Sequence, residues 1–442
     1  MKTKYKKGNK LYKKTSSLIP GGVQLLSKRP EIFLPDQWPC YFKSAKGSKI
    51  VTYDDVELYD FTNCSVGMCP LGYANSVINN SVIEVIKKGN TTTLNSYLEY
   101  DCAKLLIDTH PWADMARFTK SGGEAMSVAV RIARAYKKKD KVLFCGYHGW
   151  SDWYISANIK NSNKLDQHLL PGVSTLGVPK SLGGLTHPFE FNNEKDFKTK
   201  FIKYLKQLSC VVLEPARSTH CNLSFVKTIR NYCSKYNIPL IFDEITLGWH
   251  YTLGGYHKTL GVNPDIAVFS KGTTNGYPLG AVIGKKNIMQ SAAYSFISSA
   301  YWSENIGFAA AIATINFMKK NNVATKLKSK GKKVKKIWID LGKKNNLPIL
   351  VRGIDSLPTF TFDNNKSDEM LTYFTQEMLR EGFLAHGQCY LMLSHSDVMI
   401  NKYKKACEKV FRKISKIFYK NNQNYKKYIN GRVKFAKFNN PV

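Results

Sequence analysis

The chain reads as an α/β protein built around a mainly parallel sheet, and three observations predict it. Apolar runs bounded by turn residues recur at KVLFCGYH, CVVLEPA, IPLIFDEI, DIAVFSKG and LGAVIGK, most of them separated by enough chain for a helix. Such runs fit strands covered on both faces. Between Glu124 and Lys137, the residues Met126, Ala129, Val130 and Ala133 fall on one helical face, directly after a Ser-Gly-Gly turn. Finally, 442 residues with 43% hydrophobic and 12% aromatic content can bury a large core and leave material for a second, smaller domain.

Taken from the amino end, residues 1 to 45 form a basic arm that turns at Pro20-Gly21-Gly22 and includes an aromatic stretch from Phe33 to Phe42. SKIVTYDDVELYDFT predicts two short strands about a tight turn at Asp54-Asp55, since alternation and β-branched residues flank it. Helix and strand then alternate from near residue 80. LGAVIGK follows DIAVFSKG after only a short Gly/Pro loop, which leaves room for an antiparallel member of the sheet. Past residue 330, LPILVRGIDSLPTFTF reads as a hairpin, and two amphipathic helices follow, Asp368 to Glu381 and His395 to Tyr419. The expected division is 1–75 for an arm and strands that pack with the small domain, 76–330 for the large domain, and 331–442 for the small α+β domain with a basic tail.

Composition narrows the functional classes. A formal net charge of +34 favours phosphate-bearing partners when the lysines are organised to meet them. Here they are spread through Lys-rich and Lys/Asn-rich stretches of the whole chain, with no RNP-like, zinc-finger or basic-zipper signature. They are expected on solvated surface, and nucleic acid is not an expected partner. No run approaches the roughly 20 apolar residues of a membrane span, and the basic start lacks a secretory apolar core, so the expected location is the cytoplasm. Ten cysteines without paired CxxC spacing read as reduced thiols and predict no metal site.

The chemistry is concentrated at strand ends. Lys271 closes DIAVFSKG and Asp243 closes the apolar part of IPLIFDEI. A lysine and an aspartate so placed point to pyridoxal 5′-phosphate (PLP): the lysine holds the aldehyde as a Schiff base, and the aspartate keeps the pyridine nitrogen protonated so that the ring acts as an electron sink. Desolvation beside the loop GTTNGYPLGA is expected to lower the lysine's pKa and supply a nucleophilic amine, which can also carry a proton between substrate and cofactor carbons.

Other residues gather around that pair. Ser121-Gly122-Gly123-Glu124 opens a helix, where free N–H groups and the dipole favour a phosphate; taken alone it serves equally as an ordinary Ser N-cap. Tyr147-His148-Gly149-Trp150 emerges at the carboxyl edge of the sheet, where an aromatic can stack on a pyridine ring or simply join a packing cluster. Glu214 and Glu244 are acids after apolar strands and need partners, whether a loop, a helix start or the substrate. Arg29, Arg217 and Arg352 could clamp a carboxylate or phosphate, and each serves equally as a surface residue.

In this order, SGGEAM, YHGW, LEPA, FDE and PDIAVFSKGTTNGYPLGA resemble the class III aminotransferases of PLP fold type I, most closely the glutamate-1-semialdehyde aminomutase-like branch. PGGV, SKIVTYDDVELYDF and GYANSVI are similar to that family's amino-terminal pattern, so the likeness runs from about residue 16 to 420. The resemblance implies a large domain with a seven-stranded, mainly parallel sheet, a small α+β domain, PLP as cofactor, and a homodimer with active sites at the subunit interface. Position by position, Lys271 matches the Schiff-base lysine, Asp243 the pyridinium partner, Tyr147 the stacking aromatic with His148 beside it, and Glu214 an acid near cofactor and substrate. Ser121, Gly122 and Gly123 match the phosphate-binding turn, in which relatives often carry Thr or Ser where Gly123 stands. Relatives also supply a Thr from the neighbouring subunit, in a segment matching SSAYWSENIG; Ala300 occupies that place here, with Ser299 or Ser303 as substitutes.

The implied activity is amino transfer between a small-molecule amine or amino acid and an aldehyde or ketone. WSENIGFAAAIAT and the ending GRVKFAKF resemble relatives in surface-polysaccharide and secondary metabolism. Two alternatives stand beside it: a glutamate-1-semialdehyde-type 2,1-aminomutase, and a non-catalytic basic binding protein on a PLP fold.

Overall fold

The computed structural model describes residues 4–160, 163–168, 171–216, 218–420 and 425–435. The chain divides into two compact units, Met1–Asn75 with Thr325–Val442, and Ser76–Ala324. The boundary expected between residues 330 and 331 lies inside the helix Val323–Lys344.

In the first unit, β1 (Phe42–Lys46), β2 (Lys49–Thr52) and β3 (Glu57–Phe61) form an antiparallel meander. Asp55 adopts a left-handed φ of 63° in the turn between β2 and β3. Its neighbour Asp54 accepts the amides of Lys7 and Gly8 at 2.6 and 2.9 Å, at the start of the helix Lys6–Thr15. A carboxylate there satisfies donors that a helix start leaves orphaned, and it fastens the basic arm to its own unit.

The second unit carries β4 (Met115–Thr119), β5 (Lys141–Cys145), β6 (Thr186–Pro188), β7 (Leu208–Leu213), β8 (Leu240–Asp243), β9 (Ile266–Phe269) and β10 (Gly280–Gly284). They form one seven-stranded sheet in the order β4-β10-β9-β8-β7-β5-β6. The pairs from β9 to β6 are parallel, whereas β10 runs antiparallel to both of its neighbours. The antiparallel member thus arises where the short Gly/Pro loop leaves no room for a crossover. β4 and β6 lie outside the five runs read from the sequence. Both are edge strands; β6 has only three residues and β4 reads MARFT, so neither carries a long apolar signal.

Every residue of β7 to β10 is buried, as expected of a sheet covered on both faces. Alternation assigns the side chains to two layers. Val142, Phe144, Val212, Ile241 and Val268 pack with the helix Gly122–Lys137, whose predicted inner residues Met126, Ala129, Val130 and Ala133 are all buried. Leu143, Cys145, Val211, Leu213, Leu240 and Phe242 pack on the other side with Phe197 and Phe201 of the helix Glu194–Tyr204 and with Phe225 and Ile229 of the helix Leu223–Lys235. By the period of two, Asp243 continues the Ile241 face. That is the face on which the helix from Gly122 begins.

The first unit resumes with β11 (Ile349–Arg352) and β12 (Thr359–Phe362), the predicted hairpin, followed by the helix Ser367–Arg380. β13 (Phe383–Ala385) then pairs parallel with β3, completing a four-stranded sheet, and the helix Asp397–Ser415 follows. The basic segment near the end of the chain docks on this unit. Arg432 donates to both carboxylate oxygens of Asp36 at 3.1 and 3.0 Å, and Lys434 pairs with Asp368 at 2.8 Å.

Candidate active site

Asp243 and Lys271 stand at the carboxyl ends of adjacent parallel strands. Asp243 is in register with Val268 of β9, and Lys271 lies three residues further along that chain. The backbone at Lys271 has a left-handed φ of 44°, a conformation that costs a non-glycine residue about 1–2 kcal/mol. Such local strain at a strand end is characteristic of functional positions. The Lys271 Nζ donates to the Oγ1 of Thr246 at 2.9 Å. Thr246 follows Asp243 by three residues and was not singled out in the sequence; its signal is a hydroxyl placed in the turn that leaves the aspartate's strand.

Asp243 is only 3% exposed. Its Oδ1 accepts the amide of Ile245 at 3.1 Å, and its Oδ2 lies 2.8 Å from Nδ1 of the buried His148. A buried carboxylate needs such partners. His148 comes from YHGW, so the histidine expected to touch the cofactor lies against the aspartate. Among the described residues its Nε2 is buried without a hydrogen-bond partner, so its one polar contact is the Nδ1 facing Asp243.

Tyr147 packs against the layer of the helix Gly122–Lys137 and meets Tyr154 edge to face. Its amide donates to Oε2 of Glu214 at 3.1 Å. Glu214 therefore holds the strand-end turn that carries the aromatic. The turn is tight: Gly146 has φ 117°, and a Cβ there would stand 2.4 Å from the Glu214 Cβ. A further support, without any sequence signal, is His168. Its Nδ1 accepts the Gly146 amide at 3.2 Å, and burial, with the His148 ring nearby, pushes its pKa down to about 4. Glu244 turns the other way: it accepts the amides of Tyr256 and His257 and contacts the His257 Nδ1 at 2.9 Å, tying down the loop that follows β8.

The predicted phosphate turn opens the 16-residue helix Gly122–Lys137, two residues before the Glu124 start expected from periodicity. Ser121 is its N-cap in a capping box, with the Glu124 amide on the Ser121 Oγ at 3.3 Å and the Ser121 amide on the Glu124 Oε2 at 2.8 Å. The N-cap reading therefore holds. After the box is made, the amides of Gly122 and Gly123 have no partner among the described residues. Space beside them is tight: a Cβ on Gly122 would meet Ile245 Cδ1 at 2.9 Å, and one on Gly123 would meet the Trp150 Nε1 at 3.1 Å, so either side chain would have to shift to admit it.

These contacts test the site against PLP. One tetrapeptide, YHGW, touches Asp243 through His148 and the helix start through Trp150; Ile245, two residues after Asp243, lies beside Gly122. A buried carboxylate suited to a protonated ring nitrogen and a pair of free helix amides suited to a phosphate are thus joined by the same short segments. The residues present fit the group.

Ser299 and Ser303 are exposed on either side of Ala300, and the Ser303 Oγ donates to the Ala300 carbonyl at 3.2 Å. Among the described residues, no hydrogen bond joins either serine to Ser121, Gly122 or Gly123. The segment is nevertheless anchored near the turn, because Lys120 pairs with Glu304, which caps the helix Asn305–Lys320. Arg29 and Arg352 belong to the other unit, and Arg217 lies outside the described residues.

Fold and site together define a PLP-dependent enzyme with the architecture of the fold type I transferases. The chain belongs to the class III aminotransferases: that family's model matches residues 35–421. It is 29% identical over 411 residues to the 3-aminobutyryl-CoA aminotransferase of Cloacimonas acidaminovorans, covering 90% of this chain and 94% of that protein. It is 31% identical to the glutamate-1-semialdehyde 2,1-aminomutase of Fusobacterium nucleatum, covering 93% and 98% of the two chains. With the 2'-deamino-2'-hydroxyneamine transaminase of Streptomyces kanamyceticus it shares 28% identity over 80% and 85%. Among solved structures, the FumI protein of Sphingopyxis sp. MTA144 superposes with a TM-score of 0.86 at 22% identity, over 96% of this chain and all of that one. This likeness carries the fold.

Proposed function

We propose that the chain transfers an amino group between a small-molecule amine or amino acid and an aldehyde or ketone, at the carboxyl edge of the seven-stranded sheet. The observation that carries this reading is the pair Lys271 and Asp243 on adjacent strand ends, one bonded to Thr246 and the other to His148. PLP, when bound, supplies an electrophilic aldehyde and an electron-withdrawing ring. Lys271 would hold the aldehyde and, once displaced by a substrate amine, move a proton to and from the substrate carbon. Asp243 would keep a proton on the ring nitrogen, with His148 orienting the carboxylate from behind. Tyr147 would cover one ring face, held there by the bond from its amide to Glu214. Ser121, Gly122 and Gly123 would receive the phosphate.

The same reading includes a homodimer in the cytoplasm. Its support is the segment that precedes Glu304, where Tyr294, Phe296 and Tyr301 are 93%, 89% and 75% exposed. Clustered exposed aromatics mark association surfaces, and a partner seated there would bring Ser299 or Ser303 of one protomer toward the phosphate of the other. The aminoglycoside transaminase among the relatives supports a role in secondary metabolism, whereas the aminomutase relatives support the intramolecular alternative.

The test is a half-reaction screen. Purified holoenzyme is mixed with single amino donors, and loss of the visible band of lysine-bound PLP is followed. Conversion by a donor, with release of its carbonyl product, supports the transferase. Pyridoxamine-form protein that turns glutamate-1-semialdehyde into a 5-amino-4-oxo acid without releasing a partner product identifies the aminomutase. Lys271→Ala protein that keeps the band contradicts both.

A further inference from the structure

We infer that the indole N–H of Trp150 is a donor to the cofactor phosphate, standing in for the side-chain hydroxyl that Gly123 lacks. The inference rests on reading Ser121–Gly123 as the phosphate site. A Cβ on Gly123 would lie 3.1 Å from Trp150 Nε1 and 3.4 Å from its Cδ1. The N–H edge of the indole therefore stands against the point where a residue-123 side chain would begin. The two features are complementary: the glycine makes room for the ring, and the ring brings back a donor.

The backbone is built for this approach. Gly149 has φ 97°, a conformation that favours glycine, and a Cβ on it would stand 3.3 Å from the Gly123 Cα, so the chain passes close to the helix start. The segment is pinned on both sides of Trp150. Before it, His148 is bonded to Asp243; after it, the Ser151 Oγ lies 2.7 Å from the Ser127 Oγ, which also donates to the Gly123 carbonyl at 3.0 Å. Trp150 itself is 74% exposed, and its Nε1 has no partner among the described residues. An indole nitrogen donates and does not accept, whereas a phosphate monoester at neutral pH offers acceptors. Three N–H groups, from Gly122, Gly123 and Trp150, would thus be available to one anion at the helix start.

The test compares PLP with pyridoxal, which has the same ring and aldehyde but no phosphate, by equilibrium binding to the full-length apoprotein. Trp150→Phe removes the N–H and keeps an aromatic ring at an exposed position. The expected result is a loss of PLP affinity of about 10- to 100-fold, the scale of one hydrogen bond to a charged acceptor, with pyridoxal affinity unchanged. Adding Gly123→Ser in the Trp150→Phe background is expected to recover most of the loss. An unchanged preference for PLP over pyridoxal in Trp150→Phe overturns the inference, as does an equal loss for both compounds, which would place Trp150 on the ring. If the unaltered protein binds PLP no more tightly than pyridoxal, the phosphate reading of Ser121–Gly123 falls as well.

Discussion

The two ends of the proposed cofactor site are built on opposite principles. At the ring end, the groups are side chains on strand termini, buried at Asp243 and Glu214 and half-buried at Lys271, and already partnered: Asp243 with His148, Lys271 with Thr246, and Glu214 with the Tyr147 amide. At the phosphate end, the groups are the backbone amides of a helix start with no partner among the described residues, edged by an exposed indole. The difference teaches where each end gets its precision. Buried side chains are held by packing and by each other, so the ring end is preorganised by the core. The phosphate end depends on close backbone approach at Gly122, Gly123 and Gly149 rather than on a charged side chain.

The largest effect is expected at the ring end. Asp243→Asn removes the negative charge that would face the ring nitrogen while keeping the shape. It is expected to slow the donor half-reaction by about 10²- to 10³-fold, the scale of losing one preorganised electrostatic partner, with PLP still bound. Stopped-flow decay of the visible band measures it. A fall of only a few-fold would mean that the ring nitrogen is not served by Asp243. Smaller but still marked is the consequence of Gly146→Ala, because the new Cβ would collide with Glu214 in a left-handed backbone. A stability loss of about 2–4 kcal/mol is expected from the combined strain and overpacking, read by denaturant unfolding. An unchanged midpoint would show that the turn relaxes and does not fix Tyr147.

The smallest effect concerns pH. Burial lowers the pKa of His168 from its ordinary 6.5 to about 4. Between these values the unfolded chain takes up the proton that the folded chain refuses, so the stability present above pH 6.5 is lost progressively as pH falls toward 4. Protonation also removes the acceptor for the Gly146 amide. Thermal unfolding across this range should show the fall, and a His168→Asn protein should show less of it. Equal slopes would place the acid sensitivity on other buried histidines such as His110, whose pKa is also pushed down to about 4 by burial.

The division between the two ends also explains what was legible in the sequence. Lys271 and Asp243 announce themselves because a charged residue at the end of an unbroken apolar run is rare, and β8 and β9 are fully buried. The helix start is visible as a Ser-Gly-Gly turn, but pattern alone does not separate a capping Ser121 from one that meets a ligand, because it caps the helix while the amides of Gly122 and Gly123 have no partner among the described residues. His168 and Thr246 were invisible: the one reaches Gly146 from an irregular segment over twenty residues away in the chain, and the other is an ordinary threonine until folding brings Lys271 to it. The edge strands β4 and β6 were missed because edges lack the double burial that writes an apolar run. Arg432 and Lys434 read as part of a featureless basic tail because their acidic partners, Asp36 and Asp368, are remote in sequence.

The central claim is that Lys271 is the lysine that carries the cofactor. Borohydride reduction of the holoenzyme, followed by peptide mass analysis, tests it most directly. A phosphopyridoxyl adduct on the peptide containing Ser270-Lys271-Gly272, and its loss in Lys271→Ala, is the result expected; an adduct confined to another lysine, or none after PLP binding, would contradict the account.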